Sequence, residues 1–397
     1  MLSFKFEINY SQMAVIPYIC MVYTKQTKMD SDIDIMGYDR PSLTLPEPTV
    51  KVAITHGDIN GVGYEVILKS LENPEILKFF IPVIYGSSKI AAFHRKSLSI
   101  DDLPFNHLKH ATQAVPHKVN ILNLTDQDIK VEYGKLTQIG GELAYQSLEK
   151  ATDDLMEGQV DVLVTGPISK ENIQSDNFHF AGHTEYLTEK FGATGSLMLM
   201  VCDNLRVGLV TNHLPLNIIA DTISVDRILS KIKLLHQSLL VDFGIPSPKI
   251  AVLSLNPHAG DGGLMGTEEA KIITPAIQKA YAEGIHAFGP YPSDGFFGTG
   301  NYAKFDGILA MYHDQGLIPF KVLSQGRGVN FTAGLPFVRT SPAHGTAFDL
   351  AGKAPAAFAC MQQAIRLAVK IFKNRIEWEE MTRNPLKIQE PLAQDFE

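Results

Sequence analysis

Cysteine is scarce in this chain. Among 397 residues there are three, Cys20, Cys202 and Cys360, far apart and without a CxxC pair. That usage argues against a disulfide scaffold and a cysteine zinc module, and it suits a reducing compartment. Long apolar runs are missing too. The nearest candidate, Met13 to Tyr23 (MAVIPYICMVY), is short and broken by Pro17, whereas a membrane helix needs roughly 18 or more residues. As a signal peptide it lacks a strong basic start and a small-residue cleavage site. There are no charge blocks and no repeats, and a formal net charge of −8 argues against generic nucleic-acid binding, which requires a concentrated basic surface. A cytoplasmic globular protein with neither membrane nor nucleic-acid partners is the expectation. The length makes two domains the expectation as well. Residues 1–48 read as an N-terminal extension, expected to be poorly ordered.

From Val50 onward, strand and helix patterns alternate. VKVAIT, IPVIYGS (81–87), VNILNL (119–124) and VDVLVTGPIS (160–169) read as strands, and Gly140 to Met156 as an amphipathic helix. Such alternation predicts an α/β fold with largely parallel sheets, whose ligands sit beyond the carboxyl ends of strands. The first strand runs into HGDINGVGYE (56–65) and then a helix. That glycine-rich turn can place N–H groups against an anion, or it is a tight turn whose glycines only permit positive φ. Ala354 to Phe372 is helical in pattern and reads as a packing element.

Polar residues collect where strands end. His213 follows VGLV, His258 follows IAVLSL and His313 follows ILAMY. One histidine after a strand is more often structural, but three at equivalent positions can converge. Neutral imidazoles on a rigid frame suit zinc, cobalt or another borderline divalent ion. His183 and Thr184 open a helix in AGHTEYL, where Thr184 is a cap or the pair binds phosphate or carboxylate. Asp294, in GPYPSDGFF, is a turn former that gains interest only from lying between two candidate ligand segments.

The densest stretch is Phe305 to Lys353. After a buried strand it delivers His313, Lys321, Arg327, Asn330, Arg339 and His344, separated by glycines and prolines. A mere connection has no need of so many donors, so this is read as an active-site segment.

In this order, GDINGVGYE, TGPISK, AGHTEYL, TNHLPL, NPHAGDGG, MYHDQGL, GRGVNFTAGLPFVRTSPAHGTA and DLAGK resemble the 4-hydroxythreonine-4-phosphate dehydrogenase family of pyridoxal phosphate biosynthesis. The resemblance covers Val50 to the C-terminus. It departs from the family in the first loop, which there usually reads MGDPAGIGPE. SPAHGTAFDLAGK is also similar to the cofactor loop of isopropylmalate and isocitrate dehydrogenases, with Phe348 in place of a proline.

What the resemblance implies is a two-domain α/β/α fold like that of isopropylmalate dehydrogenase, with the active site in the cleft between domains. On that pattern, residues 49–150 and 305–397 form a discontinuous first domain, and 151–304 a second domain carrying dimer contacts. The family pattern assigns a divalent metal (zinc, magnesium or cobalt) to His213, His258 and His313. It assigns substrate to His183, Thr184, Lys321, Asn330 and Arg339. NAD, with NADP left open, falls to His344, Gly345, Thr346, Ala347 and Asp349. Lys321 and Asp294 are the catalytic candidates, Asp294 through the substrate amine or a proton transfer. The implied reaction oxidises 4-phosphohydroxy-threonine at C3 and releases CO2, in a homodimer whose subunits share each active site. Competing readings are a dehydrogenase of erythronate or threonate 4-phosphate, a zinc hydrolase, and a catalytically silent ligand-binding protein.

Overall fold

The structure is a computed structural model that describes residues 49–384; the expectation for residues 1–48 falls outside them. Its strands are β1 Lys51–Thr55, β2 Ile81–Gly86, β3 Phe105–Leu108, β4 Val119–Asn123, β5 Val162–Thr165, β6 Leu197–Cys202, β7 Leu205–Leu209, β8 Ile250–Leu253, β9 Ala287–Tyr291, β10 Gly307–Ala310, β11 Val329–Ala333 and β12 Val338–Pro342. The helices are α1 Gly63–Leu71, α2 Ser88–Ser97, α3 Gln138–Met156, α4 His183–Lys190, α5 Ile219–Thr222, α6 Val225–Val241, α7 Thr274–Ala282, α8 Ser293–Gly298, α9 His313–Ser324 and α10 Ala359–Thr382.

All twelve strands form one sheet, ordered β3-β4-β2-β1-β5-β12-β11-β6-β7-β10-β8-β9. Most neighbours are parallel, as strand–helix alternation predicts. The exceptions lie at the centre, where β11 runs antiparallel to β12 and β6, and β6 antiparallel to β7. Two of these three pairs join strands too close in sequence for a parallel crossover: only Asp203 and Asn204 separate β6 from β7, and residues 334–337 separate β11 from β12, whereas β11 meets β6 from far along the chain. The C-terminal helix differs from expectation at its start. It begins at Ala359, not Ala354, because Pro355 intervenes and the Ala356 N–H is spent on Glu65 Oε1 at 2.8 Å.

Period-2 alternation decides what each face meets. Val52, Ile54, Val162, Val164, Val338, Val329, Phe331, Leu199 and Leu309 point to one face, in a single core with α1, α6 and α10. The other face carries two separate cores. Ala53, Val83 and Leu163 pack under α3 and α4, while Met198, Met200, Ala251, Ile308 and Ala310 pack under α8 and α9. Between these two groups of helices the middle of the sheet is left without a helix above it. The side chains of that face at β5, β12 and β11 are Thr165, Arg339, Asn330 and Thr332, with Met200 of β6 at the edge of the α8–α9 core. The fold thus makes a floor for a site.

The first loop is buried from His56 through Leu68. Three of its N–H groups are committed to protein acceptors: Asn60 N to Asp58 Oδ1 (2.8 Å), Gly61 N to Asp58 O (3.2 Å) and Val62 N to Thr346 O (3.0 Å). These bonds make it a brace between the first strand and the segment at Thr346. Gly63 is required by close approach, since a Cβ there would lie 2.0 Å from His56 O. The two residues that depart from the family pattern at its ends, His56 and Tyr64, stack at 5.0 Å between ring centroids, and Tyr64 stacks in turn on His94 at 5.0 Å.

Burial holds the pKa of both His56 and His94 down to about 4, from an ordinary value of 6.5. Between those two values the unfolded chain binds more protons than the folded one. The stability from each neutral imidazole is therefore complete above pH 6.5 and is lost as pH falls toward 4. A shift of this size corresponds to roughly 3 kcal/mol per residue. The melting temperature is expected to fall steeply between pH 6.5 and 4.5, and a thermal denaturation series of His56→Met should show a shallower fall over the same window.

Candidate active site

On the uncovered middle of the sheet lies a cavity of about 290 Å³. Its floor is Thr165, Met198, Met200, Asn330, Arg339 and Ser341, and its walls include Lys170, the start of α4, His213, one stripe of α9, and Ala343 to Gly345. The α9 stripe is His313, Leu317 and Lys321, spaced four residues apart so that all three share a face. The α4 start is His183, Thr184 and Glu185.

Arg339 dominates this floor. It is 2% exposed, and its hydrogen bonds go only to hydroxyls: Thr165 Oγ1 at 2.6 and 3.1 Å and Thr332 Oγ1 at 3.2 Å. No carboxylate among the described residues pairs with it, and Glu185 acts on it only at a distance. Burial draws its pKa down to about 10, so it keeps its charge at neutral pH. A dry, unpaired guanidinium costs stability, and its natural complement is an anionic ligand. Lys170 and Lys321 add exposed ammonium groups, and Glu185 is the one acid lining the cavity.

Three further groups wait for partners. His183 Nε2, Asn330 Oδ1 and His344 Nε2 are shielded from solvent without a hydrogen bond. Burial, then the charges of Arg339 and Lys170, hold the His183 pKa well below its ordinary value, so it is neutral. Thr184 does not cap α4. Gly182 holds that position, and no side chain caps the helix, which leaves its N-terminal N–H groups toward the cavity.

The His213 and His313 rings stand 5.5 Å apart. Burial on its protein side, then Lys170 and His313, lower the His213 pKa, and Asp314 Oδ1 engages His313 Nδ1 at 2.8 Å, leaving Nε2 available. These two imidazoles suit a borderline divalent ion. Among the described residues no third His, Cys, Asp or Glu of the chain joins them. His258 lies across α9, in a separate cavity of about 620 Å³ that it shares with Asp294, Asp314 and Gln315. Gln315 ties this region together: it accepts from Met311 N (2.6 Å) and donates to Ser254 O and to Ser293 Oγ (2.7 Å).

A third cavity of about 480 Å³ abuts the first, with Lys321, Ala343, His344 and Gly345 lining both. It is otherwise lined by small and apolar residues, including Val62, Gly326, Gly328 and Ala347. Of the cofactor candidates, His344, Gly345 and Ala347 line it; Thr346 braces the first loop and Asp349 is exposed outside it. The unsatisfied Nε2 of His344, whose Nδ1 meets Gly345 O at 2.8 Å, and the small-residue walls fit one end of a dinucleotide next to the first cavity. Sequence reasoning did not single out Lys170, Thr165 or Glu185. All three lie inside quoted motifs, Thr165 and Lys170 in TGPISK and Glu185 in AGHTEYL, and strand-face alternation around Thr165 was the available signal.

A family model described as pyridoxal phosphate biosynthetic protein PdxA matches residues 78–368. The chain belongs to the PdxA family. It is 50% identical over 346 residues to a 4-hydroxythreonine-4-phosphate dehydrogenase of Bacteroides thetaiotaomicron, covering 87% of this chain and 95% of that protein. A Cutibacterium acnes family member, provisionally named D-threonate 4-phosphate dehydrogenase, is 37% identical over 326 residues, covering 81% and 93%. The crystal structure of 4-hydroxythreonine-4-phosphate dehydrogenase from Klebsiella pneumoniae superposes with a TM-score of 0.73 at 33% identity, covering 82% of this chain and 99% of that one. The α/β fold and the family are those expected from the sequence.

Replacing Arg339 by Met separates binding from stability. The kcat/KM of the variant is expected to fall ~100-fold or more, because charge-assisted contacts to an anion are lost. Its melting temperature should hold or rise, since an unpaired buried charge is removed. A paired steady-state and thermal-melt measurement checks both.

Proposed function

We propose that this PdxA family member is a 4-hydroxythreonine-4-phosphate dehydrogenase. It oxidises 4-phosphohydroxy-L-threonine at C3, releases CO2 and yields 3-amino-2-oxopropyl phosphate and NADH for pyridoxal phosphate synthesis. The observation that carries this reading is the unpaired Arg339 guanidinium, in a cavity with two lysines that shares a wall with a second cavity. A substrate bearing both phosphate and carboxylate matches that surplus of positive charge.

Arg339 and the α4 N-terminus hold one anionic group of the substrate, and Lys170 meets the other. Neutral His183 and Asn330 orient the substrate through their unpartnered atoms. When bound, NAD beside His344, Gly345 and Ala347 supplies a hydride acceptor, and zinc, magnesium or cobalt at His213 and His313 supplies Lewis acidity. Oxidation at C3 would leave a 3-keto acid, the hydride passing to that acceptor and the hydroxyl proton to solvent. The bond between C2 and the carboxylate then breaks, its electron pair moves toward C2 and the C3 oxygen, and C2 takes up a proton. Lys321, on the wall common to both cavities, stabilises the negative charge developing on the C3 oxygen and supplies that proton.

His258 and Asp294 enter as contributions from a second copy of the chain. Support comes from their separation from the other candidates and from exposed apolar side chains on the same side, Leu264 (85%), Ile318 (62%) and Val322 (72%). The homodimer is thus proposed, with Asp294 against the substrate amine. The second domain, residues 151–304, carries its contacts, and the first comprises 49–150 and 305–397. The cytoplasm is the proposed location, and Asp349 and Thr346 are proposed to meet NAD from the adenosine side. A dehydrogenase of threonate or erythronate 4-phosphate is the second reading, favoured by the Cutibacterium acnes relative. A zinc hydrolase has no use for the adjoining cavity.

NADH absorbance decides between these. Purified protein with NAD and Zn²⁺ or Mg²⁺ should reduce the cofactor with 4-phosphohydroxy-L-threonine and lose activity with chelator. Turnover of only the hydroxy acids would move the substrate, and none of either would sink the dehydrogenase reading. Sharing of the site has its own test. Co-expressed Arg339→Met and His258→Ala chains, each inactive alone, should recover roughly a quarter of wild-type activity, because random pairing leaves one intact site in half the dimers. No recovery would place each site within one chain.

A further inference from the structure

The chain after β8 takes an unusual course. His258, Ala259, Gly260, Asp261 and Gly262 have φ of 51, 53, 81, 43 and 66°, five consecutive left-handed residues of which three carry a Cβ. L-residues resist this conformation, and a run of them persists only where its surroundings impose it. Packed against it is Glu269, 5% exposed and without a cation partner among the described residues. Its Oε1 accepts Leu255 N (2.9 Å) and Asn256 N (2.7 Å), and its Oε2 accepts Asn256 Nδ2 (3.0 Å). The Asn256 amide also donates to Glu268 Oε2 at 2.7 Å.

The same carboxylate grips the turn a second time. Gly260 packs directly on it, and a Cβ there would lie 2.7 Å from Glu269 Oε2 and 3.0 Å from Gly266 O. Met265 N closes the turn by donating to Gly260 O at 3.1 Å. Glu269 itself opens a single π-helical turn, Glu269–Ile273, a distortion that recurs at functional sites and costs helical hydrogen bonding. A buried carboxylate satisfied by three N–H donors, at the start of a distorted helix, holds both the entry and the middle of the turn. The residue so displayed is His258, exposed at its tip.

We propose that Glu269 is a positioning residue: it holds the left-handed turn that presents His258 to the metal. This rests on the reading of His258 as a ligand supplied to a second copy. Zn²⁺ affinity of the purified full chain, measured by competition with a chromophoric chelator, is the test. Glu269→Ala should weaken binding about 10–100-fold, and excess Zn²⁺ should restore its activity. Glu269→Gln, which keeps an oxygen for the two backbone N–H groups, should fall between it and wild type, and it carries the comparison if the alanine variant does not fold. In a His258→Ala background Glu269→Ala should add nothing further. Weak binding by His258→Ala with wild-type affinity in the Glu269 variants would overturn this proposal alone. So would an activity loss that excess Zn²⁺ does not repair. Wild-type affinity in His258→Ala would overturn the ligand reading, and the proposal with it.

Discussion

A positive charge kept dry is the constraint to which the centre of this molecule answers. Arg339 sits on β12 with its guanidinium over the middle of the sheet, between the helices that cover the rest of that face, held by the hydroxyls of Thr165 and Thr332. Hydroxyls satisfy its donors without cancelling its charge, so the field remains available to a ligand. A carboxylate in the place of Thr165 would have made a stable ion pair and a closed floor. Around this charge the walls are consistent: an uncapped helix start, two lysines, and the neutral imidazole of His183, which does not compete with it. On the proposed reading, the protein carries the desolvation of one cation so that an anion can be bound in a site that needs little rearrangement.

Much of this was legible in the sequence because strand ends are legible. Apolar runs followed at once by His213, His258 and His313 marked the carboxyl ends of β7, β8 and β10, and the segment from Phe305 to Lys353 supplied Lys321, Asn330, Arg339 and His344 to one cavity. The reason is local: parallel strands deliver their C-terminal residues to one edge whatever the order of the sheet. Arg339 was visible as a polar residue, but its burial was not. That depends on its facing the same way as Asn330 and Met200 across two antiparallel partners, a register that spacing does not encode.

What escaped the sequence is what depends on long-range order. Alternation argued for a largely parallel sheet, which is found, but it did not reveal that β11 lies antiparallel between β12 and β6, joining strands more than 100 residues apart. His258 looked equivalent to His213 and His313, but α9, begun by His313 itself and tolerant of Pro319, stands between them. The glycine-rich first loop offered two uses, and hydrogen bonds to Asp58 and Thr346 support the structural one. In each case a contact to a residue far along the chain takes part.

The single sheet under both groups of helices has a mechanical consequence. A two-domain enzyme often closes on its substrate by bending at a hinge, but here the strands from both sides of the cavity are joined by backbone hydrogen bonds between β12, β11 and β6. Rotating one half against the other would shear those ladders. Adjustment to a ligand therefore belongs to what stands on the floor, α4, α9 and the segment from Ala343 to Gly345. The same division applies to evolutionary change: the charge and its bed stay fixed by the sheet, while differences in which phosphorylated acid is accepted can be written in the walls.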